Sequence, residues 1–151
     1  MIRSRPAAVA LAACSALLAA GCGGPPKESR AKATREATAA ASGYVQAFAR
    51  RDGAAMCAQM TSDLQRKFVE AARRSAHAKL GSDCESVMRA ALAGVQDDQA
   101  ASFAQAHIAN VRVGSRSGTF TYLFGQLQVL GKVARGDDGR WRVSCCVQVG
   151  A

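Results

Sequence analysis

The chain from Arg140 to Val149 alternates without a break. Trp141, Val143, Cys145, Val147 and Val149 fall on one side, and Arg140, Arg142, Ser144, Cys146 and Gln148 on the other. A period of two is that of a β-strand, whose successive side chains point to opposite faces. One apolar and one polar face mean a sheet covered on one side only, which is the habit of antiparallel sheets. Gly136-Asp137-Asp138-Gly139 just before it reads as a hairpin turn. Further strand candidates precede it: a stretch with Ile108, Val111 and Val113, a turn at 114–118, Thr119 to Phe124, and Gln126 to Ala134. Whatever covers the sheet must therefore come from the first two thirds of the chain.

There the period is helical. Ala33, Ala37, Ala40, Ala41, Tyr44, Val45 and Phe48 recur on one face of a helix over 30–51, which Asp52-Gly53 stops. A short helix over 54–60 carries Met56 and Cys57. Ser62 with Gln65 reads as a capping box that starts a helix running to about Lys79, burying Leu64 and Phe68 and ending at Gly81. Ser82 with Glu85 reads as a second box, followed by Val87, Ala91 and Val95 at i, i+4, i+8, with Met88 and Leu92 beside them. Helices first and a mostly antiparallel sheet second make an α+β domain.

The N-terminus carries a different signal. Arg3 and Arg5 precede an uncharged stretch, Pro6 to Ala20, too short for a spanning helix but fitting the apolar region of a signal peptide. It ends in Leu18-Ala19-Ala20-Gly21-Cys22, which resembles the lipobox of bacterial lipoproteins. The expected plan is a signal peptide over 1–21, a flexible tether over 22–32 and a domain over 33–149. Cys22 would take the lipid (a palmitate-type anchor) and hold the domain on the extracytoplasmic face of the cell membrane. Leu11-Ala12-Ala13-Cys14 is a second candidate, with a shorter apolar region.

Charge and cysteines narrow the partners. The formal charge is +9, and the two arginines of the signal leave +7 on the rest. Attraction to anionic lipid headgroups fits an exported basic domain, and no nucleic acid is expected. Cys57, Cys84, Cys145 and Cys146 remain where disulfides persist. Four cysteines allow three pairings. Cys57 with Cys84 is favoured, since each lies at the edge of an expected helix. Cys145 and Cys146 are neighbours on a strand and face opposite ways, so a shared partner is disfavoured. No ligand spacing surrounds them, so no metal and no cofactor are expected.

Two patches carry a family resemblance: Tyr44-Val45-Gln46-Ala47-Phe48-Ala49-Arg50-Arg51-Asp52-Gly53-Ala54-Ala55-Met56-Cys57, and Gly139-Arg140-Trp141-Arg142-Val143. With the order of elements, they resemble the NTF2-like (SnoaL-like, cystatin-related) cone fold of small actinobacterial lipoproteins. The resemblance covers about 33–149. It implies a curved sheet wrapped by helices around a pocket, though the family's first strand, between the second and third helices, is not evident here. Its members include isomerases, dehydratases and cyclases, and many non-catalytic binding or scaffold domains.

A catalytic cone needs acid–base groups in its pocket. No Asp or Glu lies inside an expected strand, and no nucleophile, phosphate or metal motif occurs. His107 at a strand start, with a carboxylate such as Asp52, is the only candidate pair, and His77 on a basic helix reads as a surface group. The arginines at 50–51, 73–74 and 140–142 read as solvated faces or one anion patch. The aromatics Tyr44, Phe48, Phe120, Tyr122, Phe124 and Trp141 are candidate pocket-lining residues, or plain core. The leading expectation is a non-catalytic domain that binds a small apolar ligand or an envelope protein. The alternatives are an isomerase or dehydratase acting through His107, and a structural envelope protein.

Overall fold

The computed structural model describes residues 27–74, 81–124 and 127–148. Among the described residues five helices come first: α1 (Lys27–Ala49), α2 (Gly53–Ala58), α3 (Ser62–Arg74), α4 (Cys84–Leu92) and α5 (Asp97–Ala104). Four strands follow among them: β1 (His107–Val113), β2 (Ser117–Phe124), β3 (Leu127–Arg135) and β4 (Trp141–Gln148). The domain is α+β. The strands pair antiparallel in sequence order, β1-β2-β3-β4, as an open, uncurled sheet. Among the described residues, no helix is long and apolar enough to cross a membrane.

α1 lies across the sheet and touches all four strands. Ala37, Ala40, Ala41, Tyr44, Val45 and Ala47 form its buried stripe. The alanines carry no bulk, so the helix axis can approach the strands closely, and the larger side chains of the sheet fill the gap. Those are Phe120, Tyr122, Val129, Val133, Trp141 and Val143, all on one sheet face. The opposite face leaves His107, Arg112, Leu123, Gln128 and Lys132 exposed. α1 starts at Lys27, inside the segment expected as a tether. After Pro26 the sequence holds no Gly or Pro until Gly43, so nothing stops the helix from running back that far.

The helix ends show where local competition decides. α1 stops with Arg51 in the left-handed region (φ 55°), and Asp52 then caps α2, its carboxylate accepting from the Ala55 N–H at 2.9 Å. α3 is capped by Thr61, not by Ser62: the Thr61 hydroxyl accepts from the Leu64 N–H at 3.3 Å. The expected partner Gln65 instead donates to the Cys57 carbonyl at 2.7 Å, satisfying the end of α2. Leu64 and Phe68 are half-buried rather than fully buried. The expected end of that helix at Lys79 lies outside the described residues.

The second box is also shifted by one residue. Asp83 accepts from the Ser86 N–H at 2.9 Å, in place of Ser82 with Glu85. An ionised carboxylate is the stronger acceptor for an orphan N–H. The same bond, first from the Ser86 backbone, holds Asp83 below the usual carboxylate range. Gly81, at φ 128°, permits the approach, since a Cβ there would stand 2.0 Å from the Ser86 hydroxyl. The apolar stripe through Val87 and Val95 is not one helix. It breaks at Ala93–Gln96, and α5 restarts with Asp97 and Asp98 in its first turn, where the helix dipole favours acids.

Two irregularities shape the sheet. β1 shifts register between Ala109 and Arg112, with Asn110 at φ 52°. β4 shifts opposite Lys132 and Val133, so the strict alternation from Trp141 to Val149 does not hold through it. Val143 pairs with the buried Val133, but Cys145 pairs with Lys132, whose side chain is exposed. Val149 lies outside the described residues. Between α2 and α3 the chain runs beside β4: Met60 makes a parallel bridge to Val143, with Thr61 N–H to Val143 O at 2.9 Å and Val143 N–H to Gln59 O at 2.7 Å.

Candidate functional site

The helix crossing leaves one apolar cavity of about 220 Å³. α1 supplies Tyr44, Val45 and Phe48, α2 Met56, α3 Phe68, α4 Met88, Ala91 and Leu92, and β2 Tyr122. Val95 and Phe103 of the following segment close it. Among the described residues no charged side chain lines it. Met56, Met88 and Leu92 are buried, whereas Phe48, Phe68, Val95 and Phe103 are half-buried and Ala91 is exposed. The floor is therefore core and the rim meets solvent.

Two devices hold the walls. A disulfide joins Cys57 to Cys84, with Cα atoms 6.1 Å apart, and so ties α2 to the start of α4. That fixes Met56 relative to Met88. On the other side Phe103 is the centre of an aromatic cluster. Its ring lies 4.2 Å from Phe48, 4.7 Å from Phe124 and 6.1 Å from Tyr122. Offset rings at such spacings attract beyond their area burial.

Of the six expected aromatics, Tyr44, Phe48 and Tyr122 line this cavity. The other three do not. Phe120 is fully buried, its ring spread over Gly131 on the neighbouring strand. Phe124 sits behind the wall, stacked on Phe103. Trp141 is buried near the opposite end of α1, beside a wider groove with Glu36, Gln59 and Arg140. All three point to the same sheet face as Tyr122, but Phe120 and Trp141 are buried in the core and Phe124 is stacked behind Phe103. Met88, Ala91 and Leu92 of the lining have a signal in the sequence, the apolar stripe of α4, yet this is also the pattern of plain core; Met56, Phe68 and Phe103 come from α2, α3 and α5.

The candidate acid–base pair is not assembled. His107 is exposed on the uncovered sheet face, in register with Leu123. Asp52 is engaged as the α2 cap. His77 lies outside the described residues. Nor do the arginine pairs gather into one patch. Arg51 pairs with Asp97 at 2.6 Å, Arg73 donates to the Ser82 carbonyl at 3.3 Å, and Arg142 forks onto Asp138 at 2.9 and 2.6 Å. Arg142 holds the Asp138 carboxyl far below the usual range, with the Arg140 N–H assisting. Cys145 is a half-buried free thiol. Among the described residues, no group of three or more His, Cys, Asp or Glu is placed to hold a metal. Cys14 and Cys22 lie outside the described residues.

No protein-family model matches the chain, and no curated protein or solved structure matches it either.

Proposed function

We propose that this chain is an exported, lipid-anchored binding domain whose cavity takes a small, mainly apolar molecule. The observation that carries the reading is the cavity itself: about 220 Å³, lined by apolar and aromatic side chains. Dry apolar cavities of about 150 Å³ already hold a benzene-sized guest. Sites for small ligands are lined mainly by apolar and aromatic side chains, as this one is. The exposed His107 supports binding over acid–base chemistry at this site.

The kinship to NTF2-like domains belongs to the same proposal. It is supported by the order of elements and by the segment Gln59–Thr61 beside β4, between the second and third helices, where the family carries its first strand. The sheet is open and uncurled where the cone's is expected to be curved, so the kinship rests on the order of elements and this segment.

The test is a thermal-shift measurement on the full-length protein with toluene, indole and octanoate. The expected result is a raised midpoint with at least one of them. Ala91→Trp, which places an indole at the rim, should abolish that rise while leaving the unliganded midpoint near wild type. No rise with any probe, or an unchanged rise in Ala91→Trp, would overturn the reading. Anchoring is checked separately by metabolic labelling with a fatty acid. Label that persists in Cys22→Ser would remove Cys22 as the acceptor.

A further inference from the structure

We infer that the end of the molecule from which the N-terminal segment leads away is a docking surface for a bilayer of anionic lipids. The inference deepens the anchoring part of the proposed function and rests on it. The two ends of α1 are told apart by their neighbours. Phe48 near its C-terminus meets Phe103, which stacks on Phe124 beside the β2–β3 connection. Glu36, Ala39 and Ala40 in its first half lie beside Gly139, Arg140 and Trp141 of the β3–β4 turn. The β1–β2 turn is at that same end, since the Arg135 N–H donates to the Arg116 carbonyl at 2.8 Å.

Charge divides along this axis. Residues 27–36 of α1 hold four basic and two acidic residues, and the turns at 114–117 and 135–142 hold four basic and two acidic, which makes +4 for this end. At the other end of α1, Arg50 and Arg51 lie with Asp52, Asp97 and Asp98, a local −1, and α3, whose Lys67 lies near Cys145 of β4, adds +2, so that end stays less basic. The acids of the basic end are largely engaged: Glu36 by Lys32, Asp137 by Arg116 and Asp138 by Arg142. Arg30, Arg35 and Arg140 are exposed and make no ion pair among the described residues. Exposed arginines at one pole of a domain are attracted to anionic headgroups, and the attraction falls off over about a Debye length, roughly 8–10 Å.

Chain length commits this pole to the membrane rather than to a soluble polyanion. Cys22 precedes Lys27 by five residues. Five extended residues reach at most about 18 Å. A lipid on Cys22 therefore keeps the start of α1 within about two Debye lengths of the surface. The cavity rim, set by Phe48, Ala91 and Phe103, belongs to the half of α1 away from that surface, open to the solvent side.

The experiment uses the full-length protein purified from membranes, its lipid read by intact mass. It is reconstituted in phosphatidylcholine vesicles, or in vesicles containing phosphatidylglycerol, and followed by amide hydrogen exchange. The amides of 114–117 and 136–140 should exchange several-fold more slowly on the anionic vesicles than on the neutral ones. Salt at about 1 M, where the Debye length is about 3 Å, should remove the difference. Arg30→Glu with Arg140→Glu should remove it at low salt, and Arg50→Glu at the other pole should not. A lipidated protein whose turns exchange equally on both vesicles overturns the orientation and leaves the anchor standing, as does an Arg50→Glu protein that behaves like the double variant. A mass without lipid overturns the anchor itself.

Discussion

A Cβ placed on Gly131 would stand 2.2 Å from Cζ of Phe120, directly across the β2–β3 ladder. The ring occupies the space a side chain would need, and Phe120 is completely buried there. A glycine in a central strand weakens it unless something packs on the bare backbone, and an aromatic neighbour does so here. Gly131→Ala should cost about 1–3 kcal/mol by overpacking. In a Phe120→Ala background the same change should cost far less, because the clash has gone. Urea unfolding of the four proteins in this cycle measures the coupling, and additive effects would refute it.

The Cys57–Cys84 bridge closes a separation of 27 residues. On the chain-entropy account such a loop contributes about 3–4 kcal/mol. Cys57→Ala with Cys84→Ala should lose roughly that much in urea. It should also weaken whatever the cavity binds, since α2 and α4 would no longer be tied. A stability loss with unchanged probe affinity would show that the walls hold without the bridge.

Asp138 has its pKa depressed in the folded protein, first by the Arg142 guanidinium. A depressed carboxyl adds stability that is fully present above its unfolded value, 3.8, and is lost as pH falls through the folded value. Asp138→Asn should therefore melt below wild type near neutral pH, with the gap closing progressively below about pH 4. Melting curves across pH check the sign. A gap that is constant with pH would mean the loss comes from turn geometry rather than from ionisation.

Phe103 is the large apolar anchor of α5, packed on Phe48 and Phe124, while the helix buries Ala100 beside it. Phe103→Ala should cost about 2–3 kcal/mol, the lower side for a phenylalanine because the ring is half-buried. The helix Asp97–Ala104 should then open locally, with hydrogen exchange accelerated there more than in the sheet.

The class of the fold is legible in the sequence because two periods are written plainly in it. Helical spacing from Ala33 to Phe48 and alternation around Trp141 and Val143 each name an element, and their order names the α+β arrangement. What is illegible turns on competition between neighbours. Thr61 outdoes Ser62 as a cap by where the adjacent backbone lies, and Asp83 outdoes Ser82 as the stronger acceptor. The register shift in β4 occurs where Gln59–Thr61 runs alongside it, a partner more than eighty residues earlier. The cavity is harder still. Met88 and Leu92 would show the same stripe in a filled core, and only the angle at which α1 crosses the strands decides that Phe120 is covered while Tyr122 meets an opening.

The same register features bear on how this protein behaves when many copies are crowded together. An edge strand with a free ladder of N–H and C=O groups is a template on which another chain can grow. β4 has its ladder taken at Val143 by the chain's own Gln59–Thr61, and β1 is broken by the extra residue at Asn110. Among the described residues, each margin of the sheet is therefore interrupted, at Val143 on one side and at Asn110 on the other, and an interrupted edge is a poorer template for strand-on-strand growth.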